Sequence, residues 1–453
     1  MRVYLHTFGC KANQYDTERI RQELEVRGKV VVESSDRADL CVVNTCTVTN
    51  QADAEARRYV RRIHRENPGL DVVVVGCSAI LRPDEYRGLE GVVGVVEGHD
   101  PEEVARTAQE SRARGPMPLI PLQKGSGGGD GASSKGGTDG PSPEGWGILT
   151  ERQGATRGWL KIQDGCDRKC SFCATRLVRG ASRSRPVEEV VEEARVLART
   201  HPELVLTGIH IGHYGRDMHP SRSLSELVAR LMDEVPDVRF RLGSVEATEI
   251  DDLLLDLLGN SGGLLAPHLH MPLQSGSDEV LGRMRRWHTR DTYRDRVLEV
   301  AAHVPILGLG ADVIAGFPGE TGENHQETLS LIEELPFTYL HVFPFSPRSG
   351  TAAAEMPHQV TQRIAGERSR ELRELGLVKG RAHRARRVGG WADVVLEGDG
   401  SKGLTGDYLR VEVTANGPAP EGSFLRARLE GESDHLCIDL TRSCDTLLGD
   451  HVK

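Results

Sequence analysis

An α/β fold in three parts is the architecture this sequence predicts: an N-terminal open parallel α/β sheet domain over 1–115, a central partial (βα)6 barrel over 151–378, and a C-terminal small all-β barrel over 379–449. Three observations carry it. The chain has 453 residues, more than one compact core organises. Short apolar runs alternate with charged helical stretches, first over 1–115 and again from 151, which is the pattern of parallel strands joined by helical crossovers. Past 380 the helical stretches stop, and short strands follow one another across Gly-rich turns.

In the first part, Arg2–His6, Asp39–Asn44 and Asp71–Val75 read as buried strands, with Gln14–Arg27 and Gln51–Asn67 as helices between them. Residues 116–150 read as a flexible linker, because the stretch GSGGGDGASSKGGTDGPSPEG over 125–145 cannot bury a core. In the second part, Trp159–Ile162 opens a series of six strands that continues at 204–207, 238–242, 268–271, 307–314 and 339–343. Val190, Val191, Ala194, Leu197 and Ala198 make one apolar helical stripe after the first strand. Six βα units of this size give an open partial barrel and not a closed one of eight. In the third part, ADVVLEG, YLRVEV, SFLRARLEG and LCIDL are short strands.

No run of 18 apolar residues occurs, so no transmembrane helix is expected. The start MRVYLHTFGC lacks a signal-peptide pattern, so a cytoplasmic location with reduced thiols is expected. Nine cysteines in that setting point to metal sites or catalysis before disulfides. The formal net charge of −10 argues against a protein coated in positive charge, while leaving room for local basic patches.

The strongest local signal is Cys166-x-x-x-Cys170-x-x-Cys173, just past the first barrel strand. Strand ends are the active-site side of such folds. Four thiolates complete a [4Fe–4S] cluster, and three leave one iron open to another ligand. The alternative is a zinc knuckle, but zinc takes four ligands and the motif has no fourth Cys or His. A second set, Cys10, Cys46 and Cys77, lies just past the ends of the three N-terminal strands. In an open parallel sheet those ends share one edge, so three residues far apart in sequence converge there. The alternative is three unrelated buried thiols. Cys41, Cys437 and Cys444 read as structural or incidental.

On these residues the chain resembles the methylthiotransferase family of radical S-adenosylmethionine (SAM) enzymes, and within it the MtaB type. TFGCKANQYDTE, VVNTCTVTNQAD and VVGC match the family's N-terminal domain. GCDRKCSFCATRLVRGASRSR, VLTGIHIGHYG, HLHMPLQSGSDEVLGRMRRWHT, ADVIAGFPGET and HVFPFSPRSGT match its radical SAM domain, and the C-terminal β region resembles an RNA-binding TRAM domain.

The resemblance implies two [4Fe–4S] clusters, one held by Cys166, Cys170 and Cys173 with SAM on the open iron, and an auxiliary one held by Cys10, Cys46 and Cys77. It implies conversion of N6-threonylcarbamoyladenosine at tRNA position 37, beside the anticodon, to its 2-methylthio derivative. A one-electron donor such as a flavodoxin or ferredoxin would start the reaction by cleaving SAM to a 5′-deoxyadenosyl radical, in a monomeric enzyme. SAM would lie across the strand ends, near Phe172, Thr207, Gly208, Ser244, Glu246, Gln274 and Asp312. Sister reactions on isopentenyladenosine or on a ribosomal-protein aspartate, and a non-catalytic iron–sulfur RNA sensor, are the alternatives. The KANQYD stretch after Cys10 differs from the local sequence of the protein-modifying sister.

For RNA there are two basic runs: Lys379, Arg381, His383, Arg384, Arg386 and Arg387, and the group Arg283, Arg285, Arg286 and Arg290 around Trp287 and His288. Cations would meet phosphates and an aromatic could stack on a base, the alternative being a solvated helix face.

The linker reading makes one prediction. Deleting most of 125–145 should leave the circular dichroism spectrum and melting temperature nearly unchanged, because a Gly/Ser-rich segment buries almost nothing. Loss of folding in that variant would reject it.

Overall fold

Five parallel strands build the N-terminal sheet, in the order Val30–Val32, Arg2–Thr7, Leu40–Thr45, Asp71–Gly76 and Val92–Val95. The computed structural model describes residues 1–47, 49–114, 146–151, 153–415, 422–441 and 445–446. The three strands expected from the sequence are the centre of this sheet. The two outer ones, with three and four residues, are too short for a periodic signal and exist through pairing with the centre. Leu40–Thr45 is buried throughout, as a strand covered on both faces must be. Cys41, Val43, Val72 and Val74 pack on one face, and Leu40, Val42, Val73 and Val75 on the other. Burial pushes the Cys41 thiol up to about 12, so it is an inert core group.

Residues 116–145 of the expected linker lie outside the described residues. The last part of that expectation needs correction, because 146–150 is built into the fold. Leu149 is buried and its N–H donates to Glu193 Oε2 at 3.0 Å. The carbonyl of Gly147 accepts from Arg185 at 2.8 Å, and that of Ile148 from Gln22 at 2.9 Å.

Six parallel strands follow: Gly158–Lys161, Glu203–Thr207, Arg239–Leu242, His268–His270, Gly308–Ala315 and Tyr339–Pro344. Parallel bridges Phe240↔Leu265 and Ser244↔His270 join the two three-stranded halves. Among the described residues the first and last strands do not pair, so the barrel is open. Leu160, Leu204, Leu206, Phe240, Leu242, Leu269 and Leu309 pack in the main apolar core. With a period of two, the alternate residues fall on the concave face: Trp159, Lys161, Glu203, Arg239, Arg241, His268, His270 and Asp312. The lumen is therefore polar.

The helix Gln362–Arg387 packs along the last barrel strand and carries the whole basic run 379–387. The expected boundary at 378/379 falls inside this helix, and the sheet beyond it begins at Trp391. Seven strands follow one another across that sheet: Glu430–Glu432, His435–Asp439, Arg410–Thr414, Lys402–Thr405, Trp391–Glu397, Phe424–Arg428 and Asp445–Thr446. All pairings are antiparallel except Arg410–Thr414 with His435–Asp439. Val394, Leu396, Val411, Leu425 and Ile438 form its core. Cys437 lies on a strand here, and Cys444 lies outside the described residues.

Asp407 ties the long helix to this sheet, accepting from His383 Nε2 at 3.0 Å and from Arg387 Nε at 2.9 Å. Burial alone would raise its pKa, but these partners bring it down to about 2. A depressed carboxyl contributes stability above its unfolded pKa of about 4, and that contribution is lost as pH falls toward 2. Asp407→Asn should cost about 2 kcal/mol at pH 7. In urea denaturation the gap to the unchanged protein should narrow between pH 4 and pH 2. A gap independent of pH would show that the ionised carboxylate is not the source.

Candidate functional site

The two cysteine triplets sit at the carboxyl ends of the two parallel sheets. In the N-terminal sheet, Thr7 pairs with Asn44 and Thr45 with Gly76, so neighbouring strands end level. Cys10 lies at the N-terminal end of the helix Lys11–Val26, and its side chain makes no capping bond. Cys46 directly follows the central strand, and Cys77 opens the helix Cys77–Leu81. Gly9 has φ +103°, and a Cβ there would lie 2.5 Å from Cys46 Cβ, so glycine is what lets the Cys10 loop close over Cys46. Asn13 holds the three segments together. Its Nδ2 donates to Phe8 O and Thr45 O, each at 2.9 Å, and its Oδ1 lies 4.0 Å from Cys77 Sγ. Burial raises the Cys77 thiol, while Arg179 opposes the shift.

In the barrel, the loop Cys166–Cys173 is pinned on several sides. Cys166 N–H donates to Gly180 O at 3.1 Å, Ser171 N–H to Met284 O at 3.0 Å, and Ala353 N–H to Ser171 O at 2.8 Å. Burial pushes the Cys166 thiol up to about 11 and raises Cys170. Polar groups stand behind both sulfurs. His210 Nδ1 lies 3.5 Å from Cys166 Sγ, and its Nε2 lies 2.9 Å from Glu249, which also faces His213 Nε2 at 3.0 Å. Burial would raise Glu249, but the two imidazoles hold it well below the usual carboxylate range. Arg286 Nη1 donates to Cys170 Sγ at 3.8 Å, and its Nη2 bonds Glu246.

A buried ion network joins the two triplets. Arg179, on the helix just past Cys173, donates to Asp164 at 3.0 Å, to Asp16 at 2.9 Å and to Asn13 Oδ1 at 2.7 Å. Lys161 donates to Asp16 at 2.6 Å and to Asp164 at 2.7 Å. Arg179 also lies 3.1 Å from His99 Nε2, which is 3.5 Å from Cys77 Sγ. These residues carry no motif of their own. What marks Asp16, Lys161, Asp164 and Arg179 in the sequence is a place within six residues of a cysteine.

The residues expected near SAM gather at the same end of the barrel. Phe172 turns its ring into an apolar cluster, T-shaped to Phe317 at 6.5 Å. Thr207 ends its strand, buried. Gly208 is crowded by the chain itself, since a Cβ there would meet Gln163 O at 2.6 Å. Ser244 is exposed and bridges to His270. Glu246 is buried against Arg286. Gln274 has φ +67° and hydrogen-bonds the Asp312 backbone at 2.8 Å. Asp312 lies between His270 at 3.0 Å and His341 at 3.3 Å, and these hold its carboxyl down against the effect of burial.

The expected RNA surfaces need correction. Arg286 and Arg387 are turned inward, with side chains 3% and 8% exposed and both paired with carboxylates. His288 and His383 are buried, and Arg290 spans to Gly276 O and Ser330. Trp287 already carries the guanidinium groups of Arg168 at 3.9 Å and Arg286 at 4.2 Å over its ring. Arg283 holds Gly319 O and Glu279, and Lys379 holds Glu333 O at 2.7 Å. Arg381 pairs with Asp434 and Arg384 with Ser433 O. Arg285 and Arg386 are exposed, and their side chains have no hydrogen bond or ion pair among the described residues.

Comparisons with known proteins fit this geometry. Residues 2–98 match the Uncharacterized protein family UPF0004, and residues 160–332 match the Radical SAM superfamily. The threonylcarbamoyladenosine tRNA methylthiotransferase MtaB of Bacillus subtilis is 40% identical over 374 residues, 82% of this chain and 79% of the relative. The chain belongs to the radical SAM methylthiotransferase family. MtaB of Rickettsia prowazekii is 34% identical, covering 88% of each chain. A tRNA-2-methylthio-N(6)-dimethylallyladenosine synthase of Chlorobium phaeobacteroides is 31% identical, covering 95% of each. Among solved structures, the radical SAM methyltransferase TsrM of Kitasatospora setae has a TM-score of 0.56 at 16% identity, covering 78% of this chain and 74% of that one, a likeness of fold.

A radical SAM methylthiotransferase works with SAM and a [4Fe–4S] cluster. The donor set of the Cys166 loop suits such a group: burial disfavours bare thiolates there, and a metal centre that takes them deprotonated removes that penalty. No helix among the described residues of this methylthiotransferase is long and apolar enough to cross a membrane.

Proposed function

We propose that this chain converts N6-threonylcarbamoyladenosine at tRNA position 37 to its 2-methylthio derivative. The observation that carries the reading is the joining of two cysteine triplets through Arg179, Asp16 and Asp164, in a chain 40% identical to an enzyme named for that reaction. Cys166, Cys170 and Cys173 would hold the SAM cluster, and Cys10, Cys46 and Cys77 a second [4Fe–4S] cluster bearing the sulfur to be transferred. With SAM bound, the first cluster supplies a carbon radical able to take hydrogen from an unactivated C–H bond.

The protein's own residues position and shield. Ser171 and Ala353 fix the Cys166 loop, and Asn13 and Gly9 fix the Cys10 loop. Arg286, and His210 with Nδ1 protonated, would stabilise the ligating thiolates of Cys170 and Cys166 from behind. Thr207, Gly208, Ser244, Glu246, Gln274, Asp312 and the Phe172 backbone form the rim where SAM would lie. Such an enzyme would act as a cytoplasmic monomer and take its electron from a flavodoxin or ferredoxin.

Anaerobically reconstituted protein should hold about eight irons. Replacing Cys166, Cys170 and Cys173 by Ala should halve the iron and abolish SAM cleavage. Replacing Cys10, Cys46 and Cys77 should also halve it, keep 5′-deoxyadenosine formation and stop methylthiolation, as read by mass spectrometry of tRNA nucleosides. Methylthio product from the second variant would reject the auxiliary site.

For RNA, the free cations Arg285 and Arg386 are the ones suited to phosphates. The double variant Arg285→Ala, Arg386→Ala should weaken tRNA binding and flatten its log–log salt dependence by about one unit per lost contact. An unchanged slope would place the RNA surface elsewhere.

A further inference from the structure

Both threonylcarbamoyladenosine and dimethylallyladenosine enzymes are relatives of this chain. The two nucleosides differ in charge: a threonylcarbamoyl group ends in a carboxylate, and a dimethylallyl group is a neutral hydrocarbon. Selection of the first therefore calls for a cation within reach of the base, inside a site large enough for an amino acid.

The lower lumen has one. Lys11 follows Cys10, and its Nζ lies 5.8 Å from the centroid of the Trp159 ring on the concave face of the first barrel strand. The Arg157 guanidinium lies 5.7 Å from the same ring. Arg157, Arg239 and Arg241 pair with Glu203 and Glu397, three guanidinium groups on two carboxylates. The Lys11 ammonium has no hydrogen bond or ion pair among the described residues, so this corner carries positive charge in excess. Lys11 is half-buried in this corner. Its charge also reaches His268, whose Nδ1 is buried without a partner among the described residues. Higher in the lumen, the Asp312 carboxylate would repel an anion. A nucleoside entering from the cysteine end would therefore turn its carboxylate toward the floor.

We propose that Lys11, with Arg157 and Trp159 beside it, forms the subsite that binds the carboxylate of the threonylcarbamoyl group. The inference rests on the function proposed above and supplies its substrate selectivity. Lys11 is a binding residue here, and its position next to Cys10 would bring the base to the auxiliary cluster.

The test uses reconstituted enzyme and three anticodon stem–loop RNAs. One carries N6-threonylcarbamoyladenosine, one the same nucleoside with its carboxylate capped as a methylamide, and one N6-dimethylallyladenosine. Unmodified enzyme should prefer the acid to the amide by at least about tenfold in kcat/KM, the scale of one lost charged hydrogen bond. Lys11→Met should lose most of that preference through a drop on the acid alone, and Lys11→Arg should retain much of it. Equal kcat/KM for acid and amide in the unmodified enzyme would overturn the subsite, and so would a Lys11→Met loss equal on both. Turnover of the dimethylallyl RNA alone would instead overturn the proposed reaction.

Discussion

The buried ion network of Arg179, Lys161, Asp16 and Asp164 is the constraint on which the rest of the site depends. Two cations and two carboxylates with almost no solvent exposure form a closed, neutral set. Each member belongs to a segment that carries or abuts a cysteine. Asp16 is on the helix after Cys10, Asp164 precedes Cys166, and Arg179 is on the helix after Cys173. Loss of any one member leaves an uncompensated buried charge, a defect on the order of 3–5 kcal/mol. The network therefore sets the placement of the N-terminal sheet on the barrel, and with it the separation of the two cysteine triplets. Apolar contact reinforces it, since Tyr15 from the same helix enters the barrel core and hydrogen-bonds Glu193 at 3.1 Å.

A second constraint follows from the strand period. One face of each barrel strand fills the core with aliphatic groups, and the other is free to be polar. Fully buried Glu203 is the hub at the floor of that polar face, holding Arg239 at 2.6 Å and Arg241 at 2.7 Å. The remaining guanidinium protons reach the carbonyls of Asp393, Thr405 and Gly406. The C-terminal sheet is thus part of the barrel's closure. Its 405–408 turn closes the bottom of the lumen, and Tyr408 stacks on His268 with ring centroids 4.3 Å apart. Under the proposed function, a charged floor beneath the cysteine rim would give one cavity two chemistries, radical formation at the top and recognition of a polar nucleoside below.

The same economy of charge explains the basic runs. Arginines clustered in sequence suggest a phosphate surface, but most of these are joints. Arg387 binds Asp407 to fix the C-terminal sheet, Arg286 holds Glu246 behind Cys170, and Arg290 ties a helix to the Gly276 turn. Within the two runs Arg285 and Arg386 are the cations left over among the described residues, and those are the ones available to a nucleic acid.

Much of this was legible in the sequence, for reasons of range. Strand period, helix stripes and the spacing of Cys166, Cys170 and Cys173 are local properties, so the six barrel strands and the central N-terminal strands follow from them directly. The convergence of Cys10, Cys46 and Cys77 was also readable, because parallel strands with helical crossovers must end on one edge. Other features had no local signature. The outer strands Val30–Val32 and Val92–Val95 are too short to show a period, and Trp146–Thr150 reads as linker until Glu193, Arg185 and Gln22 bind its backbone. The inward turn of Arg286, the pairing of His210 with Glu249 and the unpaired state of Lys11 depend on partners far apart in sequence. Sequence by itself determined where the strands and the cysteines lie, because those are encoded by periodicity and spacing. Only the tertiary structure decided which charges neutralise one another and which remain free, because a buried charge is assigned its role by the partner that folding brings within hydrogen-bond distance.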